Sequence, residues 1–233
     1  MTPLGYKTII SKFYFTNKRV LDSLPKSDLL LFRKHLKLKK VRKGRELFHE
    51  GSYAREVFIL KRGKVKIYQH TPNGSEQIVY IYTPGEMFGY RPLLCNEKHP
   101  ASAKTLEECG IYFLSAKHFS EALKKSTALS NILLQNLSHE FTVLVNRIAA
   151  FGQKSVKERL ALSLLILREK YKRRDGTKIG EIPLSRSDLA AFVGTTIETT
   201  ARIIGKLKKE KIIKVYGRKI IVHDPETLYN LMD

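Results

Sequence analysis

Glu198 and Arg202 stand four positions apart in the stretch Ser185–Lys211, SRSDLAAFVGTTIETTARIIGKLKKEK. On a helix that spacing puts both on one face, together with Ala201 and Gly205. An Arg can fork onto the acceptor edge of guanine, and a carboxylate can accept from cytosine N4, so this pair suits contact with base edges. Leu189, Phe192, Thr200, Ile203, Ile204 and Leu207 recur at helical spacing and are expected to face inward. Ser185 with Asp188, and Thr195 with Glu198, give two capping-box starts, with a tight turn at Val193-Gly194 between them. The stretch predicts a helix-turn-helix whose second helix enters the major groove. Its candidate DNA contacts are Thr195, Thr196, Ile197, Glu198, Ala201 and Arg202. An ordinary capped helical hairpin would carry the same pattern.

Around this pair the chain must build supports. Ile212 to Val215 and Ile220 to Val222 flank Tyr216-Gly217-Arg218, which predicts a β-hairpin or wing. Its tip residues Arg218 and Lys219 are candidates for phosphate contacts, which position a protein without reading sequence. Asp224-Pro225 starts a last short helix. Upstream, Ser155 to Tyr171 reads as a helix, Arg173 to Gly176 as a turn and Ile179 to Pro183 as a short strand. Leu134, Leu137, Phe141, Leu144 and Ile148 follow the 3-4 alternation of a heptad seam. Ile132, Leu133, Val143 and Val145 lie off that seam. A helix apolar on two sides needs two partners, so the seam is expected to face a second subunit and the other side the domain core. Gly152 marks the expected break, or hinge.

From Val41 to about Leu114 the period is that of strands. Val57 to Leu60 and Ile78 to Tyr82 are β-favouring runs, and Gly-containing turns such as Asn73-Gly74 separate them. This predicts an antiparallel barrel, roll or sandwich. Residues 1–40 read as helical, with Leu21, Leu24, Leu29, Leu30, Phe32 and Leu36 on an amphipathic pattern and a start at Ser27-Asp28. The basic run Lys34 to Arg45 reads as a solvated face.

The 233 residues carry 43 Lys and Arg against 22 acids, a net charge of +21, which favours a polyanionic partner and nucleic acid first. The excess runs through both halves of the chain, so it does not locate the site. Cys95 and Cys109 form no metal spacing, and so few thiols suit a reducing cytoplasm. No window approaches the apolar length of a membrane span. There is no Ser/His/Asp order, paired catalytic carboxylates, HExxH or phosphate-binding Gly loop, so an enzyme is not expected.

The order of strand-rich domain, long seam helix and winged helix-turn-helix resembles the CRP/FNR family of bacterial transcription regulators. The similarity covers roughly residues 20 to 230. It rests on Gly44-x-x-Leu47-Phe48-x-Glu50-Gly51, Val57-Phe58-Ile59-Leu60-x-x-Gly63-x-Val65, Pro84-Gly85-Glu86-x-Phe88-Gly89 and Pro100-Ala101-Ser102-Ala103. In the second half it rests on Asp188-Leu189-Ala190, Val193-Gly194, Glu198-Thr199, Arg202-Ile203-Ile204 and Leu207. The resemblance implies an α+β chain in three parts: N-terminal helices with an antiparallel, cyclic-nucleotide-binding-like β-roll over 1–125, a dimerisation helix with hinge over 126–152, and a winged helix-turn-helix over 153–233. It implies a cytoplasmic homodimer on a pseudo-palindromic double-stranded DNA operator, with RNA polymerase as a further partner.

The family's base-reading Glu and Arg fall on Glu198 and Arg202. The position before the Glu, an Arg in cyclic-AMP-binding members, is Ile197 here, so the preferred site should differ from theirs. For the effector, the resemblance points to Gly85, Glu86, His99 and Ser102. By this resemblance, the family's phosphate-holding Arg-Ser pair is replaced by His99 and Pro100, which argues against cyclic AMP. Residues 1–94 contain no Cys, so the N-terminal cluster of the iron–sulfur members is excluded. Haem would need an axial ligand such as His35, His49, His70, His99 or His118 and is not expected. The effector is left as an unidentified small molecule. A ligand-binding module that docks a protein instead of DNA is the alternative, and it predicts no steep salt dependence with DNA.

Overall fold

The computed structural model describes residues 6–15, 19–172 and 181–232. After α1 (Tyr6–Ile10) and a 3-10 turn (Ser11–Phe13) come α2 (Val20–Ser23) and α3 (Lys26–Arg33). The strands β1 (Lys37–Val41), β2 (Glu46–Phe48), β3 (Glu56–Arg62), β4 (Val65–His70), β5 (Glu76–Tyr82), β6 (Met87–Phe88), β7 (Ser102–Thr105) and β8 (Cys109–Ser115) follow, with α4 (Arg91–Cys95) between β6 and β7. They form two antiparallel four-stranded sheets, ordered β1-β8-β3-β6 and β2-β7-β4-β5. Asn73-Gly74 sits in the connection of the β4–β5 hairpin, where Gly74 takes the positive φ of 81° that its lack of a Cβ permits.

Strand β3 shows how the roll is layered. Val57, Phe58, Ile59 and Leu60 are all buried. Successive side chains point to opposite faces. Val57 and Ile59 join a core with Val20, Leu24, Phe32, Leu114 and Phe119, and with Leu129, Ile132 and Leu133 of the next long helix. The Phe58 ring lies 5.2 Å from Phe88 and 5.8 Å from Phe48. A strand covered on both faces reads as an unbroken apolar run, which is why β3 lacks alternation.

Beyond the roll come α5 (Ala116–Lys125) and α6 (Thr127–Gln153). They are followed by α7 (Val156–Tyr171), β9 (Glu181–Ile182), α8 (Arg186–Val193), α9 (Ile197–Lys209), β10 (Ile213–Tyr216), β11 (Lys219–Val222) and α10 (Pro225–Asn230). Helix α7 is buried without interruption from Leu160 to Leu167. The last three strands form an antiparallel sheet in the order β10-β11-β9. The break between α6 and α7 falls at Lys154-Ser155 and not at Gly152, because a full capping box starts α7 there: the Ser155 amide donates to Glu158 at 2.8 Å, and the Glu158 amide to Ser155 Oγ at 3.4 Å.

The described residues fall into two compact units: 19–138, and 139–172 with 181–232 and the N-terminal segment 6–15. The sequence groups all the N-terminal helices with the roll. In the structure α1 lies against α7 and α10 instead. Ile10 is fully buried there, and Asn146 Nδ2 donates to the Lys12 carbonyl at 3.1 Å. The remaining N-terminal stretch holds α2 and α3; α3 begins at Lys26, one residue before the expected start at Ser27-Asp28, residues 37–40 are strand where helix is expected, and Leu30 is exposed. Off the seam of α6, Ile132 and Leu133 are buried in the roll unit, Val143 is buried in the other unit, and Val145 is exposed. The expected turn at Arg173 to Gly176 lies outside the described residues, as does the start of the strand expected from Ile179.

Candidate nucleic-acid interface and sensor pocket

Helix α8 starts at Ser185, whose Oγ accepts from the Asp188 amide at 3.0 Å. It ends at Gly194, held in the left-handed region at φ 73°. There the amides of Gly194 and Thr195 both donate to the Ala190 carbonyl, at 2.9 and 3.1 Å. That closure uses Thr195 to finish α8, so it is not the cap of α9. The cap is Thr196, whose Oγ1 accepts from the Thr199 amide at 3.2 Å. The Thr195–Glu198 box expected from the sequence is displaced by one residue, and Glu198 is not drawn back into a cap.

Leu189, Phe192, Thr200, Ile203, Ile204 and Leu207 are all buried. The opposite row of α9, Thr196, Ile197, Glu198, Ala201, Arg202 and Gly205, is exposed, and Thr195 is half-buried. Although Glu198 and Arg202 are spaced to pair, neither makes an ion pair or side-chain hydrogen bond among the described residues. Both are left to an outside partner.

Two cations beneath the motif hold it. Arg159 of α7 donates from Nη2 to the Gly194 carbonyl at 3.1 Å, fixing the turn. The guanidinium of Arg147 on α6 lies 4.9 Å from the ring centre of Phe192, beneath α8. Sequence reading missed both, because an isolated Arg on a helix reads as surface. It also missed Lys157 and Lys206. With Arg202 and Ser155 these line a cleft of about 380 Å³ beside α9.

In the wing, Tyr216 pairs with Lys219 across the two-residue turn Gly217-Arg218. Arg218 is exposed. Lys219 Nζ instead reaches Glu181 Oε2 at 2.8 Å, an exposed ion pair. Such pairs contribute little and exchange readily.

On α6, Leu134, Phe141 and Ile148 recur every seven residues and are 64%, 70% and 73% exposed. Leu137 and Leu144 between them are half-buried. This apolar stripe on one helix is left uncovered by the described residues.

The profile of the cyclic nucleotide-binding domain matches residues 38–126, and that of the Crp-like helix-turn-helix domain matches residues 158–231. Together they take in well over half of the chain. The chain belongs to the CRP/FNR family of transcription regulators. It is 27% identical over 216 residues to the fumarate and nitrate reduction regulatory protein of Vibrio cholerae, covering 92% of this chain and 83% of that one. It is 29% identical over 189 residues to the nitrogen fixation regulation protein FixK of Rhizobium meliloti, covering 81% and 83%. Its fold matches the structure of FixK2 from Bradyrhizobium japonicum with a TM-score of 0.75 at 23% identity, over 85% of this chain and 98% of that one. The match to a CooA mutant from Carboxydothermus hydrogenoformans has a TM-score of 0.72 at 20% identity, over 95% and 99%. A family of regulators, not enzymes, and a helix-turn-helix domain set aside the reading of a protein-docking module.

In this CRP/FNR chain, of the four effector candidates His99 lines a pocket among the described residues, with Phe48, Tyr82 and Arg91. Gly85 (φ 97°) and Glu86 form the turn between β5 and β6. The buried Glu86 carboxylate accepts from the Tyr80 hydroxyl, from the Thr83 amide at 2.5 Å and from the Thr83 hydroxyl at 2.7 Å. Its work is to close that turn. Ser102 Oγ accepts from the Glu50 amide at 3.0 Å. His99 is 4% exposed and lies flat on Phe48, the ring centres 3.8 Å apart. Burial, with His49 nearby, pushes its pKa down to about 4.

Aromatic rings fill the inside of the roll. Tyr82 stacks on Phe88 at 4.7 Å, and Phe58 and Phe48 extend the cluster. Beside these rings lies a pocket of about 40 Å³, lined by Tyr82, Tyr90, Arg91, Pro92, His99 and Pro100 among others. Tyr90 and Arg91 went unnoticed in the sequence. Of the other histidines, His35 stacks on His118 at 3.7 Å and His70 meets Tyr68 edge-on. Cys95 is exposed, but desolvation and a hydrogen bond with Glu97 raise its pKa, which disfavours the reactive thiolate.

Proposed function

We propose that this regulator binds a pseudo-palindromic DNA operator as a homodimer, with α9 of each subunit in the major groove. The observation that carries the reading is the division of α9 into a buried row and an exposed row that holds an unpaired Glu198 and Arg202. In this reading Arg202 forks onto guanine, Glu198 accepts from cytosine, and Ile197 and Ala201 meet thymine methyls. Arg218, Lys157 and Lys206 reach phosphates and fix the register. The α6 seam joins two copies, and RNA polymerase is the further partner in transcription. No helix among the described residues is long and apolar enough to cross a membrane, in keeping with a regulator that meets DNA in the cytoplasm.

The effector in this reading is not a cyclic nucleotide. The pocket beside Tyr82, Tyr90 and His99 measures about 40 Å³, far below the roughly 300–1,000 Å³ of ordinary ligand pockets. Glu86 is consumed by its turn, and the neutral His99 supplies no cation for a phosphate. Nor do two cysteines suffice for a cluster held by four thiolates of one chain. Selection of random-sequence duplexes by the purified protein tests the proposal. The expected product is a two-fold-symmetric site with half-sites about 34 Å apart. Enrichment of asymmetric sequences, or of none, overturns it.

A further inference from the structure

A second cavity lies on the outer side of the Phe48–His99 stack. It measures about 520 Å³ and is lined by Leu47, Phe48, His49, Ser52, Tyr53, Arg55, Glu56, Phe58 and His99. Phe48 and His99 also line the small inner space, so this stacked pair is the wall between the two. The wall is held by its backbone: the His99 amide donates to the Ser52 carbonyl, and the Gly51 amide to the His99 carbonyl, both at 2.8 Å.

Three side chains here, His99, Arg55 and Tyr53, are available to a ligand. His99 is 4% exposed, and among the described residues its ring nitrogens hydrogen-bond to no protein group and stay open to solvent. A ring N–H that lines a cavity and reaches solvent is free to donate to a ligand atom there. The Arg55 guanidinium is exposed and makes no ion pair with the protein. Tyr53 is 69% exposed, with Lys98 5.2 Å from its ring centre as a further rim cation. The volume lies within the range of small-molecule sites, and flat rings with a few converging polar groups are their usual lining.

We infer that this outer pocket is the effector site and takes a small organic anion with a flat, apolar body: its carboxylate on Arg55, a second oxygen accepting from the His99 ring N–H, and its body against Phe48 and Tyr53. The regulatory meaning rests on the DNA-binding reading above, but ligand binding itself does not. A ligand here would press on the wall, and the wall reaches the inner cluster of Tyr82 and Tyr90. His49 lines the same pocket.

The test is calorimetric titration of the full-length protein with 1-naphthoate and its neutral match, 1-naphthamide. The expected result is saturable binding of the naphthoate, weakened about tenfold or more by Arg55→Gln and by His99→Leu, with the amide binding correspondingly weaker. Chemical-shift changes should centre on residues 47–56 and 98–100. Circular dichroism and operator binding of each variant, measured without probe, show that it is folded. Absence of saturable naphthoate binding by the wild type overturns the inference. So does binding that Arg55→Gln leaves intact, or equal binding of amide and acid. Saturable binding without symmetric-site selection would keep this site and sink the operator reading instead.

Discussion

Arg202 projects from α9 with no protein partner, so removing it should change what the protein reads more than how it folds. A forked contact to guanine contributes about 1–3 kcal/mol of discrimination. Arg202→Ala should therefore weaken binding to the selected site by that amount in a competition titration, and leave binding to random duplex unchanged. Equal loss on both DNAs would reassign Arg202 to phosphate. His99 gives a second expectation, now for stability against pH. Its folded pKa of about 4 lies below the ordinary 6.5. Between those values the unfolded chain takes a proton that the folded chain refuses. Stability is therefore complete above about pH 6.5 and is lost as the pH falls towards 4, by at most about 3 kcal/mol. Urea unfolding followed across that window should show the slope, and His99→Leu should flatten it. The two residues differ in how far sequence could place them. The helical period alone puts Glu198 and Arg202 on one face. His99 is buried by Phe48, a ring from a distant strand, and nothing local announces that.

At the scale of the element, the caps of the helix-turn-helix make the cleanest contrast. Thr196 accepts from the Thr199 amide, whereas Thr195 offers only its backbone to the Ala190 carbonyl. Thr196→Ala should cost about 1 kcal/mol of stability and Thr195→Ala much less, as read from paired thermal melts. The reverse order would restore the box that the sequence suggests. Gly205 works in the opposite sense. A Cβ built there meets nothing within 4 Å. Gly205→Ala should stabilise the fold by about 1 kcal/mol through helix propensity. Because the position shares the outward row, the same change should weaken operator binding. A stabilised variant with unaltered affinity would place Gly205 off the groove. Periodic features such as the inner row of α9 and the unbroken apolar run of β3 were legible. Boundaries were not: Thr195 and Thr196 are chemically alike, and only the way Gly194 ends α8 decides which one caps α9.

At the scale of the molecule, the stripe Leu134, Phe141 and Ile148 of α6 is an apolar surface that the described residues leave exposed. Sequence showed that surface well, because a seven-residue repeat survives any tertiary arrangement. It showed the docking of α1 on the second unit poorly, since a five-residue helix carries too little pattern to name its partner. The seam supplies the decisive test of scale. Phe141 is 70% exposed on α6, so Phe141→Glu removes almost no core contact. The variant chain should keep its secondary structure and its melting behaviour at low concentration. Two seams would bring two like charges face to face in a low-dielectric interface, and sedimentation should show monomer where the wild type shows dimer. Each monomer still carries α9, Arg218 and the basic cleft, so weak and strongly salt-dependent binding to random duplex should persist. What should vanish is the gain from tethering two heads, about a hundredfold or more in affinity for the symmetric site. A Phe141→Glu protein that remained dimeric would move the interface off this stripe. One that became monomeric yet bound the full site as tightly as before would show that a single head suffices.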